Sequence, residues 1–124
     1  MLKVHTKNFG NVAVLCLQGR IVNGQTEILR DAVHSLPEVS TVILDLAGVT
    51  TVDAGGLGVL LELRAQAESK GIRFELMNVT KWVSKVLEIT RLDSVFKIAS
   101  GVEFFPAVLR TRGASSGAVL SPCA

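Results

Sequence analysis

At 124 residues the chain is long enough to bury one hydrophobic core and too short for a second, which excludes a separate substrate-carrying domain. Apolar residues make up 48% and charged residues 19%, a balance that excludes disorder over the body of the chain. The 13 basic and 11 acidic residues are scattered and sum to +2, with no basic stripe of the kind that tracks a phosphate backbone, so nucleic acid is not an expected partner.

The first element is a strand: Leu2, Val4 and Thr6 alternate with Lys3, His5 and Lys7, the period of a sheet with one wet face. Turn residues "NFGN" lead into "NVAVLCLQG", a nearly continuous apolar run expected to be the second strand of a hairpin, buried on both sides. After the loop "GRIVNG", Ile28, Leu29, Ala32, Val33 and Leu36 recur at helical spacing, with Asn23 or Thr26 as the cap and Pro37 as the stop. The β-branched run "TVILDL" is expected as a central strand, followed by the loop "AGVTTVDAGG". The next helix aligns Leu57, Leu60, Leu61, Arg64, Ala65 and Glu68 on one side, a stripe that fades after two turns, and Gly71 ends it. Ile72, Phe74 and Leu76 alternate with Arg73 and Glu75, which predicts a strand with one covered face. Val83, Val86, Leu87 and Thr90 return to helical spacing behind Thr80 as cap. "SVFKIA" adds a short strand, "VEFFPAVLR" a brief helix interrupted by Pro106, and the remainder reads as a loose tail. A hairpin followed by strand-helix-strand crossovers predicts an α/β layer domain with a mixed sheet.

Open α/β sheets put their sites where the carboxyl end of a central strand meets a helix N-terminus, and here that place is the stretch ending in Asp53. Asp53 is positioned to cap the helix. Gly55, Gly56 and Gly58 follow within a turn and a half, although each glycine in a helix costs up to about 1 kcal/mol relative to alanine. The bare backbone must therefore serve close packing, anion binding or a docking face. A nucleotide loop is disfavoured: there is no Lys-Ser or Lys-Thr pair, the spacing is not G-x-G-x-x-G, and Asp53 would repel an anion.

Other chemistry is equally thin. His5 and His34 fall on separate elements at surface positions, Asp45 and Asp53 lack a third ligand, and no nucleophile stands beside a base. Catalysis, a cofactor and a metal are accordingly not expected. Cys16 and Cys123 have neither metal-ligand spacing nor the density of a disulfide scaffold and are expected as thiols. No apolar run reaches the roughly 18 to 20 residues that span a bilayer, and the N-terminus lacks the apolar centre of a secretion signal, so the expected location is cytoplasmic without direct membrane insertion.

The stretch "VILDLAGVTTVDAGGLGVLLELRAQAESKGIRFELMNVTKWVSKVLEITRLDSVFKI", together with the "LCLQGRI" strand and loop, resembles the STAS domain family, the sulphate transporter and anti-sigma factor antagonist domains. The resemblance implies a sheet of four or five strands of mixed direction with helices packed mainly on one face, over residues 1–100, followed by a C-terminal extension at 101–124. For a free-standing domain it implies an anti-sigma factor antagonist working by partner switching: the domain binds an anti-sigma factor that is a serine kinase, and phosphorylation of a serine in an Asp-Ser-Ser-Gly loop turns binding off. The corresponding residues here are Asp53, Ala54, Gly55 and Gly56, so Gly55 stands where the phosphorylated serine would be. A phosphoserine adds about −1.5 to −2 charges, enough to break an interface, and this chain cannot build that switch at Gly55. Thr50 and Thr51, read as loop threonines, are the nearest alternative phosphosites.

The implied partner surface comprises Asp53, Ala54, Gly55, Gly56, Leu57 and Gly58 with Arg20 and Asn23 from the loop after the second strand. Within it Gly56 and Gly58 are expected to allow close backbone approach, and Leu57 to be either core or an exposed apolar anchor. Two alternatives remain from the same reading. Some STAS proteins resemble soluble components of lipid-transport machines attached to an ATPase subunit, and a small-ligand or nucleotide sensor is the other.

Overall fold

Strands β1 (Lys3–Phe9) and β2 (Val12–Ile21) form an antiparallel hairpin closed by the turn Gly10-Asn11, in which Phe9 faces Val12 and Lys3 faces Gln18. The structure, a computed structural model, describes residues 1–99, so the short helix and tail expected beyond them lie outside the described residues. After the hairpin come α1 (Glu27–His34), β3 (Thr41–Val52), α2 (Ala54–Ser69), β4 (Arg73–Met77), α3 (Lys81–Ile89) and β5 (Lys97–Ala99). The strands make one five-stranded sheet in the order β1-β2-β3-β4-β5, antiparallel at β1 and parallel elsewhere.

All three helices contribute to one core on one face of the sheet. Leu15, Leu17, Leu44, Leu46 and Leu76 of the strands pack there against Leu29 of α1, Leu57, Leu60 and Leu63 of α2, and Val83 and Leu87 of α3. Burying a leucine side chain of this kind contributes about 1.5–3 kcal/mol. On α1 Leu29 is fully buried, Ala32 and Val33 are half-buried, as is Leu36 just beyond the helix, and Ile28, expected on the apolar side, points outward at 46% exposure. Thr26 occupies the N-cap position of α1, although its side chain makes no capping bond. Arg30 links α1 to α2 through Glu62 at 3.0 Å, and the His34 ring pairs with Gln66 at 2.9 Å.

The stripe of α2 differs from the expected one. Its buried residues are Gly56, Leu57, Val59, Leu60, Leu63 and Ala67, so the apolar face persists over the full helix, while Arg64 lies outside it in an ion pair with Glu68 at 2.9 Å. Gly71 closes the helix at φ +71, where its N–H reaches the Glu68 carbonyl at 3.0 Å, a left-handed position that suits glycine. At α3, Thr80 caps as expected, its hydroxyl accepting from the Val83 N–H at 3.3 Å.

The second face of the sheet carries its own buried cluster, Val14, Ile43 and Met77, with Val12 and Cys16 packed against it. Strand β4 is therefore covered on both sides rather than one: Phe74 and Leu76 face the helices, and Glu75 and Met77 are fully buried opposite them. Arg73 Nη2 lies 2.8 Å from the buried Glu75 carboxylate. Cys16, expected as a thiol, is disulfide-bonded. Sequence spacing does not report which cysteines meet in space, and the entropy of closing even a long loop grows only logarithmically with its length.

A further correction concerns the expected loop at 47–52, which is the second half of β3. Beyond Asp45 the strand leaves β4 behind and continues along β2 alone, pairing Gln18 with Gly48, Arg20 with Thr51 and Ile21 with Val52 across two register shifts. Asp45 holds the first irregularity: one carboxylate oxygen accepts from the Ala47 N–H at 2.9 Å and the other from Asn78 Nδ2 at 3.2 Å. The β-branched run Val49 to Val52 suits this two-stranded extension, which carries the chain out to the start of α2.

Candidate functional site

The projecting end of β2 and β3 sets the start of α2 beside the loop between β2 and α1. Asp53, extended at φ −102 and ψ −175, is the N-cap, and its Oδ1 accepts from the Gly56 N–H at 2.8 Å. Both oxygens of the same carboxylate also accept from the Asn23 N–H at 3.1 Å. One side chain thus caps a helix and latches a second loop onto it. The Asp53 N–H donates to the Ile21 carbonyl at 3.3 Å, which fixes the residue from its backbone side as well.

Charge follows from these bonds. The N–H of Gly56, then that of Asn23, hold the Asp53 carboxyl below its ordinary value of 3.8. A depressed carboxyl contributes stability that is present above the ordinary value and is lost as pH falls through the lowered one. Thermal unfolding followed from pH 5 downward should therefore show the native chain losing stability below about pH 3.8, and Asp53→Asn showing a flatter profile over that interval. Parallel profiles for the two proteins would contradict the latch.

Each glycine of the turn has a different reason for being there. A Cβ at Gly56 would collide with the carbonyl oxygen of Ile21, a backbone atom that cannot move aside. A Cβ at Gly55 would lie 2.8 Å from Asn23 Cβ, so the latched loop would have to give way. At Gly58 a Cβ meets nothing within 4 Å among the described residues, so this glycine, unlike Gly56, serves no close approach to the sheet.

The expected surface residues fall into two groups. Arg20, Asn23, Asp53, Ala54 and Gly58 are exposed and Gly55 half-buried; Arg20, expected in the loop after the second strand, lies within β2, where its pairing with Thr51 sets it beside the end of β3 that leads into Asp53. Gly56 and Leu57 are buried; Leu57, at 7% exposure, belongs to the core, which settles its two readings in favour of packing. Thr50 and Thr51 are exposed strand residues rather than loop residues, and the Thr50 hydroxyl donates to the Gly19 carbonyl at 3.2 Å. What sequence reasoning missed is the backbone of Ile21 and Asn23 as the other half of the latch. An aspartate followed by glycine three residues later carries half of that signal, but the loop it grips is far away in sequence.

Among the described residues no group of three or more His, Cys, Asp or Glu is placed to hold a metal ion. No helix among them is long and apolar enough to cross a membrane.

Comparison with known proteins agrees with this architecture. The family model described as "Mlab, STAS domain" matches residues 4–103. A STAS-domain containing protein of Pseudomonas aeruginosa strain UCBPP-PA14 is 31% identical over 91 residues, covering 73% of this chain and 90% of that protein. Among solved structures, an anti-sigma factor antagonist from Mycobacterium paratuberculosis superimposes with a TM-score of 0.70 at 17% identity, over 89% of this chain and 95% of that one. The anti-sigma factor antagonist SpoIIAA in its unphosphorylated form gives 0.66 at 23% identity, over 92% and 100% of the two chains. With the family match spanning the sheet, the helices and the Asp53 turn, the chain belongs to the STAS domain family.

Proposed function

We propose that this domain is a non-catalytic regulatory module that binds another protein through the latched turn at the start of α2, in the manner of an anti-sigma factor antagonist, and that it is not switched by phosphorylation there. The observation that carries the reading is the double grip of Asp53 on Asn23 and Gly56, which fixes the exposed Asn23 and Ala54 and the half-buried Gly55 relative to one another beside Arg20 at the end of β2, with no catalytic group among them. A preorganised surface loses little conformational entropy on binding. Gly55, at the place of the family's phosphorylated serine, has no hydroxyl, so the expected partner, an anti-sigma factor of the serine kinase type, is bound irrespective of ATP.

The test is direct binding of the purified chain to the kinase-type anti-sigma factors of its host, with and without ATP. Equal binding under both conditions is expected, weakened about tenfold by Arg20→Glu and unchanged by Lys81→Ala on the remote helix α3. Mass spectrometry of the same mixtures would locate any phosphate, with Thr50 and Thr51 as the residues to inspect. Absence of binding to every such factor would refute the reading.

The missing hydroxyl also favours a second reading: a surface that cannot be turned off at Gly55 suits a permanent subunit, such as a STAS component attached to the ATPase of a lipid-transport machine. Stable co-purification with an ATPase, and none with a kinase-type factor, would decide for it.

A further inference from the structure

Asn23 stands directly before Gly24 in the sequence, and the fold sets that pair against the Asp53 turn. Val22 to Gln25 form a tight turn closed by the Gln25 N–H on the Val22 carbonyl at 3.0 Å, with Gly24 in the left-handed region at φ +86. Both central residues are exposed to water. Among the described residues the Gly24 N–H donates to no acceptor and the Asn23 side-chain amide makes no hydrogen bond, since only the backbone N–H of Asn23 is taken up by Asp53. Glycine has no Cβ, so nothing shields its nitrogen from the amide carbon of the residue before it. The other three asparagines lack such a neighbour: Asn8 precedes Phe9, Asn11 precedes Val12 and Asn78 precedes Val79. Asn8 and Asn11 are as exposed as Asn23, so the difference lies in the following residue.

The Asn23 side chain also lies at the centre of the candidate site. Its Cγ is 3.2 Å from the point that a Cβ of residue 55 would occupy, and its backbone nitrogen is 3.1 Å from both oxygens of Asp53. We infer that Asn23 is a self-modifying site: its side-chain amide is lost through attack by the Gly24 nitrogen, and the carboxylate left behind loosens the Asp53 latch and turns the docking surface off as the protein ages. The loss of docking rests on the function proposed above; the chemistry and the loosened latch stand without it.

The reaction consumes one water and releases one ammonia, with no oxidant or reductant. The Gly24 nitrogen gives its proton to base and bonds to Asn23 Cγ, the side-chain nitrogen takes up a proton and leaves as ammonia, and a five-membered imide closes. Water then adds to one of the two imide carbonyls. Opening at Cγ breaks the new bond and yields aspartate. Opening at the main-chain carbonyl of residue 23 breaks the original peptide bond and yields isoaspartate, in which the chain runs through the former side chain. Either product sets a negative charge beside the Asp53 carboxylate, and like charges at close range disfavour the ionised pair on which the latch depends. The new charge also offsets Arg20, the cation at the end of β2 that the partner is expected to meet.

The test keeps the full chain in warm, mildly alkaline buffer and samples it by peptide mass spectrometry, with Asn8, Asn11 and Asn78 as standards within the same molecule. Asn23 is expected to convert first, faster as pH rises, and to give both aspartate and isoaspartate peptides while the other three stay intact. Asn23→Asp should unfold at a lower temperature than fresh chain, with the gap closing in high salt. Towards the kinase-type anti-sigma factors, aged chain and Asn23→Asp are expected to bind about tenfold more weakly than fresh chain. Asn23→Gln, which would have to close a six-membered ring, should keep through the incubation whatever affinity it begins with. Conversion at Asn23 no faster than at the other asparagines would overturn the inference, and so would aged chain that matches fresh chain in unfolding temperature and in binding. Fresh chain that binds no factor counts against the docking reading alone, and the mass and unfolding comparisons still decide what happens at Asn23.

Discussion

Gly56→Ala is expected to destabilise the fold by about 3 kcal/mol, and Gly58→Ala, in the next half turn of the same helix, to stabilise it by about 0.5–1 kcal/mol. The sequence offers no distinction between these two glycines; the structure separates them by what a single carbon would meet. At Gly56 the added Cβ runs into the Ile21 carbonyl, which is already the acceptor for the Asp53 N–H, so relief requires β2 and α2 to move apart and the latch to open. Overpacking against backbone has no rotamer to escape into. At Gly58 the Cβ enters open space on an exposed position, and only the helix propensity of alanine is felt. Urea unfolding of both variants measures the pair. Equal effects of the same sign would mean that the close approach of α2 to Ile21 is not what holds the turn.

The second large effect lies further along the same helix. Leu63→Ala is expected to cost about 2–5 kcal/mol, against less than about 1.5 kcal/mol for Leu61→Ala. Leu63 is 1% exposed within the main core, whereas Leu61 is half-buried at its margin. Removing a side chain from a site that cannot collapse adds a cavity to the lost transfer energy, and a marginal site refills with water at small cost. Chemical denaturation with unchanged slopes would establish the difference; a larger loss at Leu61 would instead favour the stripe expected from periodicity.

That contrast shows what was legible in the residues and what was not. The order of elements, the mixed sheet and the placement of helices on one face could be read from the alternation around Val4, the run through Val14, the spacing around Val83 and the resemblance carried by the Asp53 turn. The course of α2 could not, because with leucine or valine at 57, 59, 60, 61 and 63 almost any face of the helix looks apolar. The buried face is the one that carries Gly56, where the backbone of α2 comes so close to Ile21 that a Cβ would collide with its carbonyl. Val49 to Val52 look like loop in the sequence because a strand leaving its neighbour β4 at Asp45 has no mark in local residues; its continued pairing depends on β2, some thirty residues earlier. In the candidate site Asp53 was legible as a cap. Its grip on Asn23 was not, since the donor is a backbone amide, which every residue but proline possesses.

Sheet order that matches chain order also governs how this domain can be made. Each strand pairs with the one synthesised just before it, so no strand waits for a distant segment to leave the ribosome, and the growing sheet can add its strands one at a time from the N-terminal hairpin. Among the described residues the last addition, only three residues long, is then the natural starting point for fraying when the process runs in reverse.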